Sequence, residues 1–519
     1  MKRPSILFLL LTLLFGVEAR AQMPKVDTLV ARYGIQTAFF PSEKLFLHID
    51  RTAYHVGETI WFNGYLSNAG RASSLAESNF IYVELLRSDG SVEERVKIKR
   101  DGKGFPGHID IDEDMPAGEY TLRAYTQWQM NFPDDYMFHQ RLLVFGGAGR
   151  KERTNPSKAE ALDVSFYPEG GRYFAGQPAR IGFKAMDGLG RSVELDASVV
   201  DAEGEELMKV STRHDGMGVI QFIPEDAGAL WLVTSGGRRF ALPPVSSEGA
   251  SVSVQAASGR RMVRIVGNGA GRCNLLLRDI SSLRFVAEVV VDGTAKTVII
   301  PEDAVSPGIN SLILIDEKGR MLSERLFFRY DASAPAVQLK ETVTSAGPRT
   351  PVTASIELKD PSGAPLDGVC SVSVLRLSLA GAAQDDGISS YMHLTSELRG
   401  AINDPRWYFD ASVPEKERAA ALDMLMMIQG WSYYDMDVIA DSRSPLGKVR
   451  FAREHMQYVR GKISRPLSTR APKKFSMLVL IPRLGASRYV AVEEGRSFVM
   501  DSLDLEEGTG IMIKVKRDD

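Results

Sequence analysis

From Leu45 to about Val374 the sequence is a succession of short runs in which apolar and polar residues alternate, each run cut by a turn signal. A period of two puts alternate side chains on opposite faces of an extended chain, so the pattern predicts half-buried strands rather than helices. Ile81 to Leu86 runs into Ser88-Asp89-Gly90, and Val263 to Val266 runs into Gly267-Asn268-Gly269. Further Asp-Gly pairs stand at Asp101-Gly102, Asp187-Gly188, Asp215-Gly216 and Asp292-Gly293. Between apolar runs such pairs predict hairpins, because both central positions of the tightest turn want positive φ. Short strands in series with no helical pattern between them predict tandem immunoglobulin-like β-sandwiches.

An internal repeat supports modules in tandem. Ile111-Asp-Glu-Asp-Met-Pro-Ala-Gly118 precedes the run Thr121 to Tyr125, Ile223-Pro-Glu-Asp-Ala-Gly228 precedes Trp231 to Val233, and Ile300-Pro-Glu-Asp-Ala-Val-Ser-Pro-Gly308 precedes Ser311 to Ile315. Each is a strand end, an acidic turn, a glycine and then a strand of the closing hairpin. Calcium binding wants 6–8 oxygens, more than these turns supply locally, so they are read as turns in which Asp bonds its own backbone.

Composition shifts place the boundaries. Sandwiches are expected over residues 43–146, 159–243 and 250–331, with the strand region of a fourth module over 335–380. The pattern then changes, and a helical insert is expected over 381–450. Helical spacing runs over 395–400 and over 415–429, the latter with Pro414, Glu415 and Glu417 at its start and Gly430 as its stop. Met424, Met426 and Met427 are read as core packing beneath that helix. Strand-like runs return over 456–519 as a small terminal β-domain.

At the other end, Met1-Lys2-Arg3, an apolar run from Ile6 to Phe15 and Ala19-Arg20-Ala21 form the three parts of an export signal over 1–21, followed by a linker over 22–42. The apolar run is too short to span a bilayer, and no later run reaches 18 apolar residues, so the mature chain is expected in the periplasm or at the outer-membrane periphery, with no transmembrane segment. Lys and Arg total 63 against 66 Asp and Glu, a net charge of −3, which leaves no basic excess for nucleic acid.

Local chemistry is sparse. The seven histidines form no close ligand pair, no Gly-x-Ser-x-Gly elbow occurs, and the Gly-rich stretch 146–149 lacks the Lys-Ser/Thr of a phosphate loop. Cys273 and Cys370 are read as strand residues that act as small hydrophobes. His48 and Asp50, two apart on a strand, are read as surface partners on one edge rather than a catalytic dyad. No catalytic residue, cofactor or metal is expected.

One stretch carries a resemblance. Glu43 to Leu66, with its core Tyr54-x-x-Gly57-Glu58-x-Ile60-Trp61-Phe62, resembles the opening of the macroglobulin-like domain of α2-macroglobulins, and Gly118 to Thr126 resembles its closing hairpin. In this reading Trp61 and Tyr65 point into the sandwich core and Phe62 points away. More broadly, Tyr125 to Phe132, Phe166 to Gly171, Leu394 to Gly400 and Leu422 to Trp431 resemble Gram-negative envelope proteins that join macroglobulin-like domains to a carboxypeptidase-regulatory-like domain, which would occupy 456–519. Many such relatives continue into a TonB-dependent receptor plug; the sequence stops at Asp519 before any plug or TonB box, so a direct transport role is not expected. Neither Cys273 nor Cys370 sits in the Gly-Cys-Gly-Glu-Gln motif of the thioester, so covalent proteinase trapping is not implied.

Three functional readings follow. The first is a non-enzymatic scaffold or adaptor that binds other cell-envelope proteins through strand edges and loops. The second is a non-covalent proteinase- or glycan-binding accessory protein, and the third a hydrolase with carboxylates that no local motif reveals. The candidate interaction surface comprises Trp128, Phe132 and Tyr136, together with Trp407, Trp431, Tyr433 and Tyr434, aromatics that fall outside the regular strand pattern; their alternative reading is packing between modules.

Overall fold

The computed structural model describes residues 26–519 apart from 70, 147–160, 258, 332–335, 342–346, 348, 377–385, 431–438, 440–447, 463–474, 492–496, 506–508 and 518–519. The expected export signal therefore lies outside the described residues. The region expected as a linker does not stay extended: Val26–Phe39 form helix α1, whose Leu29 and Tyr33 are buried. Apolar residues spaced by three and four give this helix a face to bury, a signal hidden in so short a segment.

The first module contains β1 (Glu43–Ile49), β2 (Ala53–His55), β3 (Thr59–Asn68), β4 (Arg71–Leu75), β5 (Phe80–Arg87), β6 (Val92–Lys99), β7 (Phe105–Asp110), β8 (Gly118–Tyr125) and β9 (Phe138–Phe145). Strands β1, β4 and β7 pair with β3, facing a second sheet of order β2-β9-β8-β5-β6. The second module has β10 (Leu162–Pro168), β11 (Ala179–Asp187), β12 (Asp196–Val200), β13 (Glu206–Ser211), β14 (Met217–Phe222), β15 (Trp231–Thr234) and β16 (Arg239–Ala241). The third has β17 (Gly249–Ala257), β18 (Arg260–Asn268), β19 (Gly271–Arg278), β20 (Leu283–Val291), β21 (Lys296–Pro301), β22 (Gly308–Asp316) and β23 (Met321–Arg329).

These modules share one topology. In the second the sheets are β10-β11-β14 and β13-β12-β15-β16; in the third, β17-β18-β21 and β20-β19-β22-β23. Each sandwich thus pairs its first, second and fifth strands against its fourth, third, sixth and seventh. The first module follows the same plan, with β2 added parallel to β9 and β4 as an extra short strand beside β3. Each repeated acidic turn falls at the same place, the crossing from the fifth strand to the sixth. There the Tyr120 hydroxyl donates to the Pro116 carbonyl at 2.8 Å, a tyrosine corner. Asn310 does the same work in the third module, donating from Nδ2 to the Ser306 carbonyl at 2.7 Å.

Most Asp-Gly pairs are not hairpins. Asp89-Gly90 joins β5 and β6, which pair. Asp101-Gly102, Asp187-Gly188, Asp215-Gly216 and Asp292-Gly293 instead carry the chain from one sheet to the facing one. Asp215 and Gly216 hold φ of 48° and 67°, so the local turn chemistry is as expected; what the pair cannot encode is whether the strands after it stay in the same sheet.

The face of β3 is also corrected. Ile60, Phe62 and Leu66 are buried, while Trp61 is 57% exposed and lies beside His108 of β7 with ring centroids 5.0 Å apart. Tyr65 shares that outer face and is only half-buried. The inward face carries Gly64, where a Cβ would come within 3.0–3.2 Å of Ile81, Leu47 and Phe105. There is no room for a side chain between the sheets there, so the tightly packed face is the one with Phe62.

Beyond the third module, β24 (Ala336–Glu341) and β25 (Ala354–Lys359) form a two-stranded hairpin. Residues 371–376 pair with no strand, and Cys370 is exposed and off the sheets, whereas Cys273 is buried in β19; both are free. Helix α2 (Ile388–His393) and helix α3 (Glu415–Ile428) follow, separated by 3-10 turns at Thr395–Glu397 and Pro405–Phe409. Residues 395–400 thus hold one tight turn in place of the expected helical stretch. The terminal β-domain has β26 (Gln457–Lys462), β27 (Phe475–Ile481), β28 (Ala486–Ala491), β29 (Ser497–Leu503) and β30 (Met512–Arg517), in sheets β26-β29 and β28-β27-β30.

Candidate functional site

Of the four singled-out aromatics among the described residues, Trp128 and Tyr136 are buried and Phe132 and Trp407 half-buried. Trp128 is 3% exposed, donates Nε1–H to the Pro41 carbonyl at 2.8 Å, and carries the Arg453 guanidinium 4.2 Å above its ring. It packs in one cluster with Leu29, Tyr33 and Phe40 near α1 and with Leu276, Ile313 and Ile315 of the third module; Phe132 is half-buried against that cluster. Tyr136 is buried as well. Trp407 stacks on His214 of the second module at 3.9 Å. Trp128 is therefore a joint between modules, and neither it nor Tyr136 is an exposed platform. Trp431, Tyr433 and Tyr434 lie outside the described residues.

His48 and Asp50 do not serve each other. His48 Nδ1 lies 2.5 Å from the Ser371 hydroxyl, while Asp50 accepts from the Tyr54 hydroxyl at 2.6 Å and the Trp61 amide at 3.0 Å. Among the described residues no group of three or more His, Cys, Asp or Glu side chains converges as a metal site, and no helix is long and apolar enough to cross a membrane.

What the structure brings together is a junction held by the helical insert. Helix α2 puts Tyr391 into the first module's core, and Lys44 of β1 bonds both the Met392 carbonyl and Glu397. Helix α3 lies across β10, β11 and β14 of the second module and β23 of the third. Its apolar spacing buries Ala421, Leu422, Leu425, Met426 and Ile428. Ile428 meets the flat spot at Gly182 of β11, where a Cβ would be 3.0 Å from its side chain.

A charge network closes the junction. Arg325 of β23, 1% exposed, donates Nε–H to Glu169 at 2.7 Å and also bonds Asp423 of α3. Arg180 of β11 bonds the same two carboxylates, at 3.2 Å to Glu169 and 2.6 Å to Asp423. Burial works against charge on Asp423, yet Arg325 and Arg180 hold its carboxyl below the ordinary aspartate range. These four residues come from both modules and the insert; Glu169 and Asp423 fall in the segments Phe166 to Gly171 and Leu422 to Trp431 singled out for their resemblance, but neither segment identifies its charge partners.

Beside the network lies a groove of about 1060 Å³. Phe222 and Ile223 at the end of β14 form one wall, Phe328 and Tyr330 another, and Ala419 and Leu422 of α3 a third. Arg180, Arg261 and Arg329 enter it from three strands. It is a cleft of apolar surface, guanidinium groups and the two carboxylates of Glu415 and Asp423, suited to binding.

No family model matches the chain, nor does any curated protein sequence. Among solved structures, the chain is similar to Escherichia coli alpha-2-macroglobulin activated by porcine elastase, with 15% identity over 62% of this chain and 33% of that one and a TM-score of 0.22. It is similar also to Salmonella alpha-2-macroglobulin reacted with methylamine (12% identity, 92% of this chain, 36% of that one, TM-score 0.18) and to dimeric latent PorU from Porphyromonas gingivalis (12% identity, 55% of this chain, 34% of that one, TM-score 0.24). Across the E. coli alpha-2-macroglobulin structures the chain spans 25% to 33% of the matched length.

Proposed function

We propose that this chain is a non-enzymatic, exported scaffold of the cell envelope: macroglobulin-like sandwiches locked into one unit, with a carboxypeptidase-regulatory-like β-domain at 456–519, that binds other envelope proteins at the periphery of the outer membrane. The observation that supports this most is the investment in rigidity at the junction. The helical insert reaches the first module through Tyr391 and the second and third through α3, and a buried four-residue charge network fixes the angle between them. Relative motion is the default expectation for tandem domains unless the contact between them is extensive. A chain that fixes several sandwiches relative to one another presents surfaces with a set geometry, which suits an adaptor. The resemblance to TonB-linked envelope proteins makes an outer-membrane receptor or its accessory the expected partner class.

A second reading has one observation in its favour. Trp61 and His108 form an exposed aromatic pair on the first sandwich, a surface on which a sugar ring or a proteinase loop would stack.

The test is photo-crosslinking in intact cells of the source organism, with a benzophenone amino acid placed in separate experiments at Ile223, Val290 and Trp61. Adducts to one or two envelope proteins at defined positions are expected. Adducts confined to Trp61, and to proteinases or glycoconjugates, would favour the second reading; no adduct at any position would overturn the adaptor reading.

A further inference from the structure

The groove between the second module, the third module and α3 is lined by Arg180, Arg261 and Arg329 and by the carboxylates of Glu415 and Asp423, of which Asp423 is taken by Arg180 and Arg325. Arg261 Nη2 bonds Glu302 Oε1 at 3.1 Å, and among the described residues Arg329 Nη1 meets the Glu302 main-chain carbonyl, at 3.4 Å. Two guanidinium groups therefore stand at one glutamate, with one carboxylate between them. Arg180 and Arg261 have carboxylate partners in Asp423 and Glu302, whereas Arg329 has no side-chain carboxylate of its own among the described residues.

A carboxylate supplied from outside meets this need, because it accepts two parallel hydrogen bonds from a guanidinium and neutralises the surplus charge. The rest of the cleft selects what carries it. Ile223, 59% exposed, stands with Phe222 and Tyr330 as apolar surface beside the arginines. Strand β14 is the outermost strand of its sheet among the described residues, and the wall at Gln221 and Phe222 is its end. An extended peptide is the ligand that uses all three features at once: backbone for the strand edge, alternate apolar side chains for Ile223 and Tyr330, and acidic side chains for Arg261 and Arg329. A volume of about 1060 Å³ stands at the top of the range for small-molecule sites and has room for several residues.

We propose that this groove binds an extended, acidic segment of a partner polypeptide in which Asp or Glu alternates with apolar residues, its carboxylates held by Arg261 and Arg329. The inference rests on the adaptor reading only in taking the ligand to be a polypeptide. Crosslinks that form at Val290 but not at Ile223 would leave the adaptor in place and remove this groove from it.

The experiment is fluorescence polarisation with the full chain and a labelled octapeptide of alternating Glu and Val or Phe, set against the same peptide with Gln for Glu. The Glu peptide is expected to bind with an affinity that falls as salt rises, and the Gln peptide about tenfold or more weakly, the size of a lost charge-assisted pair. Arg329→Gln and Arg261→Gln are each expected to cost about tenfold. Ile223→Asp, at an exposed position where folding is not at issue, should weaken the Glu peptide similarly by opposing its charge. Equal binding of the two peptides, an Arg329→Gln protein that binds like the unmodified one, or no binding of the Glu peptide at all would overturn the proposal. Displacement by inorganic phosphate at concentrations no higher than the peptide's own would also overturn it, assigning the arginines to a simple anion pocket.

Discussion

Arg325→Ala is the most informative single change. The side chain is 1% exposed and holds Glu169 at 2.7 Å, Asp423 and the Leu326 carbonyl. Its removal leaves Glu169, whose side chain is 4% exposed, with Arg180 at 3.2 Å as its remaining cation. Breaking a buried pair from one side costs about 3–5 kcal/mol, since the surviving charge has lost both its partner and its water. A chain of several modules does not unfold in one step, so the effect belongs in local opening rather than in one global transition. Hydrogen exchange of the α3 amides is the assay, and their opening free energy should fall by that amount while β5 and β8 of the first module keep theirs. Replacing the whole set together, Arg325→Met and Arg180→Met with Glu169→Leu and Asp423→Leu, leaves no member of the network stranded and should recover most of the loss. A single substitution that costs less than about 1 kcal/mol, or a quadruple variant as damaged as the single one, would refute the claim that the network locks α3 to both modules.

Three further outcomes are expected. Gly170 has φ of 71° and a Cβ there would lie 2.6 Å from the Val252 amide nitrogen, so Gly170→Ala should destabilise the second-to-third module junction by about 2 kcal/mol or more, read by the same exchange experiment. Burial lowers the pKa of His214, against the opposing pull of Asp215, Asp404 and Glu417 and with a small push from Lys184. The stability this neutral imidazole provides is complete above its unfolded pKa of about 6.5 and is lost as pH falls, so His214→Gln should shrink the loss of local stability between pH 7.5 and 5.5 read from hydrogen exchange of the β14 amides. Burial pushes the Cys273 thiol up to about 11, and Cys370 is exposed, so a maleimide at pH 7.5 should label one thiol quickly and the second only after denaturation; two fast thiols would contradict the placement of β19.

The strands and their repeated acidic turns were legible because period-two alternation and turn chemistry are local. The shared position of those turns, before the sixth strand of each sandwich, also follows from the sequence, and Tyr120 and Asn310 show why the spacing recurs. Sheet assignment was not legible. Asp215-Gly216 sets a turn of the hairpin kind, yet the next strand joins the facing sheet, a choice made by packing across the sandwich. For β3, alternation separates Trp61 from Phe62, but only the close approach at Gly64 says which of them is inside. The junction is further from reach still: Glu169, Arg325 and Asp423 are 156 and 98 residues apart in sequence, and each taken alone is an ordinary charged residue. Trp128 illustrates the reverse error, since an aromatic outside the strand pattern marks an inter-module joint as readily as a binding surface.

The central claim is that the helical insert holds the second and third modules at one angle and so forms the groove. Single-molecule energy transfer tests it directly, with dyes at Leu207 in the second module and Val290 in the third, both exposed, in a Cys370→Ser background that leaves buried Cys273 unlabelled. The account predicts one narrow transfer distribution for the intact chain and a broadened or shifted one for Arg325→Ala. A broad distribution in the intact chain, or no change on losing Arg325, would contradict it.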